Sequence, residues 1–171
     1  TCDNATQSLR QYNVIEVENG VEIGGILEDD LTLYPDVHYI VTRALLVPEG
    51  ITLTIKPGTI IRFKDNTTMR CEGTLVAEGT PDSLIVFTKA DLAQGNVSTL
   101  AIGSQTNIIE YAKICGFNAD ALIGGGTLRH CIIEDNFYLD LGSYIRSSLE
   151  YSVVTGGMHK LSSAGNRGMK N

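Results

Sequence analysis

The sequence predicts an all-β chain folded as a parallel β-solenoid, and three observations carry that prediction. Eighteen glycines, no tryptophan and a 43% hydrophobic content rich in Ile, Leu and Val favour short strands around a narrow aliphatic interior. The stretch Tyr39 to Phe63, YIVTRALLVPEGITLTIKPGTIIRF, places three β-type runs in about the shortest space that allows sharp corners. From Asn96 onwards a large-small-large pattern recurs: Ile109, Ala112 and Ile114, then Leu128, Cys131 and Ile133, then Leu149, Ser152 and Val154. These units stand 19 and then 21 residues apart, and a short-stranded unit of that length buries its apolar face only against neighbours.

Length and charge set the outer limits. With 171 residues the chain suits one domain with a continuous core. A net charge of −7 and a pI near 4.9 argue against nucleic-acid or anionic-membrane partners, whose phosphates would be repelled. No apolar run approaches the ~20 residues a membrane helix needs, and no signal peptide is visible. Cys2, Cys71, Cys115 and Cys131 lack the spacing of a zinc or redox site. No disulfide framework is expected, and Cys71 and Cys131 fall where small core residues belong.

Residues 1–38 are expected to form an N-terminal capping segment. Residues 1–12 are polar and aperiodic, Asn13 to Glu18 and Val21 to Leu27 read as short strands, and Gly24-Gly25 leads towards the acidic run Glu28-Asp29-Asp30. With Asp36 these carboxylates lack the regular spacing of a calcium loop and read as a solvated edge. Residues 39–161 are expected to form the solenoid. Pro48-Glu49-Gly50 and Lys56-Pro57-Gly58 mark its first corners, because each Pro removes a backbone donor and each Gly tolerates positive φ. Further strands run over Thr67 to Cys71, Gly73 to Ala77 and Ser83 to Thr88, and Lys89 to Val97 is a protruding loop or a change of coil type. A second ladder passes through Leu100/Ile102, Ala121/Ile123, Leu139/Leu141 and Leu161, so two strands per turn are expected to recur. Residues 162–171 form a polar C-terminal tail that leaves the last coil exposed or covered by a second subunit, end to end.

Val47-Pro48-Glu49-Gly50, Thr52-Leu53-Thr54-Ile55-Lys56-Pro57-Gly58-Thr59, Ile61-Arg62-Phe63, Gly73-Thr74-Leu75, Gly79-Thr80 and Ile85-Val86-Phe87-Thr88 make up a specific pattern. It resembles the entry coils of secreted right-handed parallel β-helix proteins, the pectate-lyase-like superfamily, of a bacterial surface type. The resemblance implies a right-handed parallel β-helix (β-solenoid) with an N-terminal capping segment. It implies a secreted or cell-surface location, and Cys2, followed by Asp3-Asn4, resembles the start of an exported bacterial lipoprotein and would carry the lipid. For activity the resemblance is weak, since such coils serve in lyases, adhesins and other surface proteins.

Polysaccharide lyases on this fold use an Arg or Lys base and usually acidic calcium ligands on one face. Arg129, Glu110, Glu134 and Glu150 are expected to share a face through adjacent coils, with His130, Asp135 and Arg146 nearby; stacked opposite charges on a solvent face are the plainer reading. A hydrolase would want two carboxylates across a cleft, and Asp135 and Asp140 have nothing around them to build one. Short corners leave little wall for a substrate groove. No catalytic residue, cofactor or metal site is therefore assigned. Parity with the core ladder sends Tyr111, His130 and Tyr151 outward in one column, a candidate glycan-binding surface or a ladder that steadies adjacent strands. Ice binding would need a regular Thr ladder, and Thr52, Thr54, Thr67, Thr68 and Thr99 suggest one, broken by Ala119, Asp120 and Phe137 in later coils. The expected function is a non-catalytic extracellular or cell-surface module, structural or carbohydrate-binding, with a polysaccharide or surface glycan as partner. The alternative is a lyase or glycoside hydrolase acting on acidic or plant or host glycans.

Overall fold

The computed structural model describes residues 20–90, 100–103, 106–117, 120–122, 126–134, 138–140, 147–155, 158–160 and 169–170. Of residues 120–122, 138–140, 147–148, 158–160 and 169–170 it describes the backbone alone. All regular structure among these is β, and the strands stack in parallel as a solenoid.

The chain enters through β1 (Val21–Ile26) and β2 (Leu31–Leu33), and the next coil is β3 (Tyr39–Val47) and β4 (Thr52–Ile55). Thereafter each coil has three strands. They are β5 (Ile60–Phe63), β6 (Met69–Cys71) and β7 (Thr74–Glu78), then β8 (Ile85–Lys89), β9 (Leu100–Ile102) and β10 (Ile108–Glu110). The next are β11 (Ala112–Cys115), β12 (Asp120–Leu122) and β13 (Gly126–Arg129), followed by β14 (Ile132–Glu134), β15 (Tyr138–Asp140) and β16 (Ser147–Glu150). β17 (Val153–Thr155), β18 (Met158–Lys160) and β19 (Met169–Lys170) complete the series.

Three sheets result. β3 is long because it pairs with two strands of the next coil: Tyr39 to Val41 pair with β5, and Leu45 to Val47 with β6, which joins both to one sheet. The nine-stranded sheet follows β17-β14-β11-β8-β5-β3-β6-β9, with β1 on β3. The seven-stranded sheet is β19-β16-β13-β10-β7-β4-β2, and β12, β15 and β18 form a third sheet beside β9. Strands therefore recur three to a coil where the sequence reading expected two, because one unit of the Ile109 repeat contains a corner that composition does not mark. The second ladder holds as Ala121 opposite Leu139, but the next rung is His159, and Leu161 lies outside the described residues. Within residues 1–38, β1 and β2 pair in parallel with β3 and β4; within 162–171, β19 pairs with β16.

The interior is a column of like residues. Ile109, Leu128 and Leu149 are in register, as are Ile114, Ile133 and Val154. Strand alternation sends Leu53, Ile55, Leu75, Ala77, Ile61 and Phe63 inward, all essentially fully buried. Phe63 and Phe117 meet edge to face with centroids 5.1 Å apart. Gly50 (φ 84°) and Gly58 (φ 81°) supply the left-handed corners expected after each Pro. Cys71 and Cys131 are free and buried in the core as expected.

One expectation fails. Cys115 is disulfide-bonded, to a partner outside the described residues. It follows Ile114 on β11, so alternation takes it off the core side, with its Sγ 3.4 Å from the Thr88 hydroxyl. Nothing in cysteine spacing marks that position.

Candidate functional site

In three successive coils the corner between the seven-stranded and nine-stranded sheets is only one or two residues long, and it repeats. Tyr111 separates β10 from β11, His130 stands between β13 and β14, and Tyr151 between β16 and β17. All three have left-handed backbones, with φ of 47°, 52° and 49°, a conformation bulky residues seldom take. Backbone bonding continues through the corner: the Tyr111 N–H donates to the Arg129 carbonyl at 3.0 Å, and that of His130 to the Glu150 carbonyl at 3.1 Å. One coil earlier the same corner is Gly79, where an added Cβ would stand 2.4 Å from the Tyr111 carbonyl oxygen.

This geometry throws the three rings outward and on top of one another. Tyr111 and His130 stack with centroids 4.6 Å apart and planes 9° from parallel; His130 and Tyr151 follow at 5.2 Å and 11°. The predicted column is present, but corner geometry rather than strand parity makes it. Ring faces inside the column meet each other, leaving edges, the imidazole and the phenol hydroxyls towards solvent. Tyr151, 56% exposed, is the more open of the two tyrosines.

Beside the rings runs a charged column. Arg129 donates through Nη1 to Glu110 Oε1 at 2.8 Å and through Nε to Glu150 Oε2 at 3.1 Å. The bond to Glu110 first, and that to Glu150 second, hold the guanidinium above its ordinary pKa. An arginine so engaged is not a proton acceptor. Glu134, expected on the same face, lies on the nine-stranded sheet, where Lys113 Nζ meets its Oε1 at 2.5 Å. Asp135 and Arg146 lie outside the described residues, and Asp140 is described only as backbone.

In the acidic entry run, Asp30 Oδ1 accepts the Thr52 N–H at 2.7 Å, fixing the start of β4. Among the described residues no group of three or more His, Cys, Asp or Glu side chains is arranged to hold a metal ion. No helix among them is long and apolar enough to cross a membrane. The seven-stranded sheet also carries an outward Thr/Val/Ile array that the sequence reading missed. Its rung spacing is interrupted, with Thr32, Thr54 and Val76 each 22 residues apart and Ile108 a further 32 on. Allowing one inserted loop at Lys89 to Val97 would have revealed it.

Fold and ridge together define a parallel β-solenoid with an aromatic corner ladder. No protein-family model, curated protein or solved structure matches the chain.

Proposed function

We propose that the chain is a non-catalytic extracellular or cell-surface module of a pectate-lyase-like, bacterial type, structural in the first instance and carbohydrate-binding along the ridge of Tyr111, His130 and Tyr151. The observation that carries the reading is the self-stacked ladder at three successive left-handed corners. It fixes the coils against one another and turns phenol hydroxyls, an imidazole and ring edges outward at three rungs. A glycan chain lying along the solenoid axis would meet these groups in succession and reach the Glu110 and Glu150 carboxylates beside them. Corners of one or two residues raise no wall around the ridge, and Arg129 is committed to both carboxylates, so the arrangement supports contact more than turnover. On this reading the partner is a polysaccharide or surface glycan, with a second subunit at the C-terminal coil.

The disulfide at Cys115 supports a secreted or surface location, since such bonds persist in oxidising compartments. Cys2, the one cysteine outside the described residues, is also the one left to join Cys115, and a sulfur held in that disulfide carries no lipid; the intact mass of the exported protein tells the two apart. A glycan array with wild type and Tyr151→Ala tests the ridge: binding that falls in the variant while the fold persists supports it. Unsaturated uronates released from any polymer, followed by their ultraviolet absorbance, would replace it with a lyase.

A further inference from the structure

The outer face of the seven-stranded sheet is not used by the ridge. Along it the register aligns Thr32, Thr54, Val76, Ile108, Thr127 and Ser148 in one column. Beside that column Thr52 pairs with Thr74, whose hydroxyl lies 3.2 Å from that of Thr106. The alternate residues Leu53, Leu75, Ala77, Ile109 and Leu128 are in the core, so Thr32, Thr52, Thr54, Thr74, Val76, Ile108 and Thr127 point outward. Across Thr32, Thr52, Thr54, Thr74, Val76, Ile108 and Thr127 there is no charge and no ring. Charges lie one column over, at Glu78, Glu110, Arg129 and Glu150, and at the head of the second column, where Asp30 accepts the Thr52 N–H. The hydroxyls of Thr32, Thr52 and Thr54 have no protein partner among the described residues.

These facts narrow the ligand by chemistry. A polyanion finds no positive charge on the two columns, a polycation finds only Asp30 at one end, and a sugar finds no aromatic face to stack on. What remains is methyl and hydroxyl groups repeating at about 4.8 Å between rungs and roughly 6.6 Å along each strand, on hydrogen-bonded backbone. Methyls that cage water beside hydroxyls that anchor it suit an uncharged, periodic, hydrogen-bonding solid. A preformed array binds such a surface without first losing conformational freedom. We propose that this face orders water into a lattice and binds ice. The break expected at Asp120 does not interrupt it, because Asp120 belongs to β12 on another sheet; Ala119 and Phe137 lie outside the described residues.

The test is inhibition of ice recrystallisation and shaping of single ice crystals by the full chain. Wild type is compared with Thr54→Glu, with Thr32→Glu on the outermost strand of the sheet, and with Thr155→Glu on β17 of the other sheet as control. Circular dichroism and urea midpoints establish that each variant is folded. The proposal expects activity in wild type and in Thr155→Glu, and its loss in Thr54→Glu and Thr32→Glu. Should Thr54→Glu not fold, Thr32→Glu decides, since among the described residues β2 has a sheet neighbour on one side only. Wild type no more active than an inert protein of similar size overturns it, as does full activity in a folded face variant. A concentration-dependent dimer that Thr54→Glu breaks, without ice activity, would assign the face to a second copy and likewise overturn it.

Discussion

At the scale of the residue, His130 concentrates the opposing effects in this molecule. Its left-handed backbone costs an L-residue about 1–2 kcal/mol, while each ring contact returns about 0.5–1.5 kcal/mol. His130→Asn keeps a residue that tolerates the corner and loses the stacking, so we expect a loss of about 1 kcal/mol in urea unfolding. His130→Val loses the stacking and adds β-branched strain, and should cost about twice as much. Equal losses in the two variants would mean that the corner backbone is not under strain. The core thiols give a second prediction. Burial is the main cause that pushes both Cys71 and Cys131 up to about 11 from an ordinary 9.0. Because the folded protein holds these protons more tightly, their contribution is complete below about pH 9 and is lost as pH rises towards 11. The urea midpoint should therefore fall across that window, and Cys71→Ala/Cys131→Ala should lose that part of the slope. Neither thiol should react with a maleimide in the native state at pH 8, a condition chosen below the shifted values.

At the scale of the element, successive strands pack through rows of like positions, and the charged row shows how little an exposed row contributes. Arg129, bridging Glu110 and Glu150, has a side chain 47% exposed. Arg129→Ala should accordingly shift the urea midpoint only slightly, and less at high salt. Arg129→Glu is expected to do more harm, because it sets three carboxylates on neighbouring rungs; unfolding at low and high salt separates the two effects. The Cys131 rung has a different support: its N–H donates to the Ser152 hydroxyl at 3.0 Å, and that hydroxyl donates to the Glu150 carbonyl at 2.8 Å. Ser152 thus occupies a small position of the repeat as a bracing group between coils, something its volume alone would not disclose.

For the whole molecule, stability is a sum over coils and their neighbours, so damage should travel along the axis. Ile133, 1% exposed, lies between Ile114 and Val154. Ile133→Asp buries a carboxylate with no counter-charge in the apolar column, a penalty of several kcal/mol. Hydrogen exchange should show protection lost in β14, β16 and β17 and retained in β3 to β8, whose rungs lie at the other end of the stack. Uniform loss over all strands would mean that the solenoid unfolds as one unit, and unchanged protection would place Ile133 outside the core.

Sequence alone determined the kind of fold, because a parallel stack places like side chains above one another and so leaves a period that can be read without coordinates. The Pro-Gly corners at Gly50 and Gly58, the core thiols and the Ile109, Leu128 and Leu149 ladder were all legible for that reason. The outward column of Tyr111, His130 and Tyr151 was legible too, though through an incorrect cause: tyrosine and histidine carry no local signal for a left-handed corner, and Gly79 at the matching place one coil earlier does not take a positive φ. Tertiary structure decided which rows share a face. It separated Glu134 from Glu110, Arg129 and Glu150, sent Asp120 to a different sheet from the threonines, placed Cys115 in a disulfide and counted three strands to a coil. Those outcomes depend on corners one or two residues long and on the longer sequence interval between Val76 and Ile108. Each changes the rung to which every later residue belongs while leaving local composition the same.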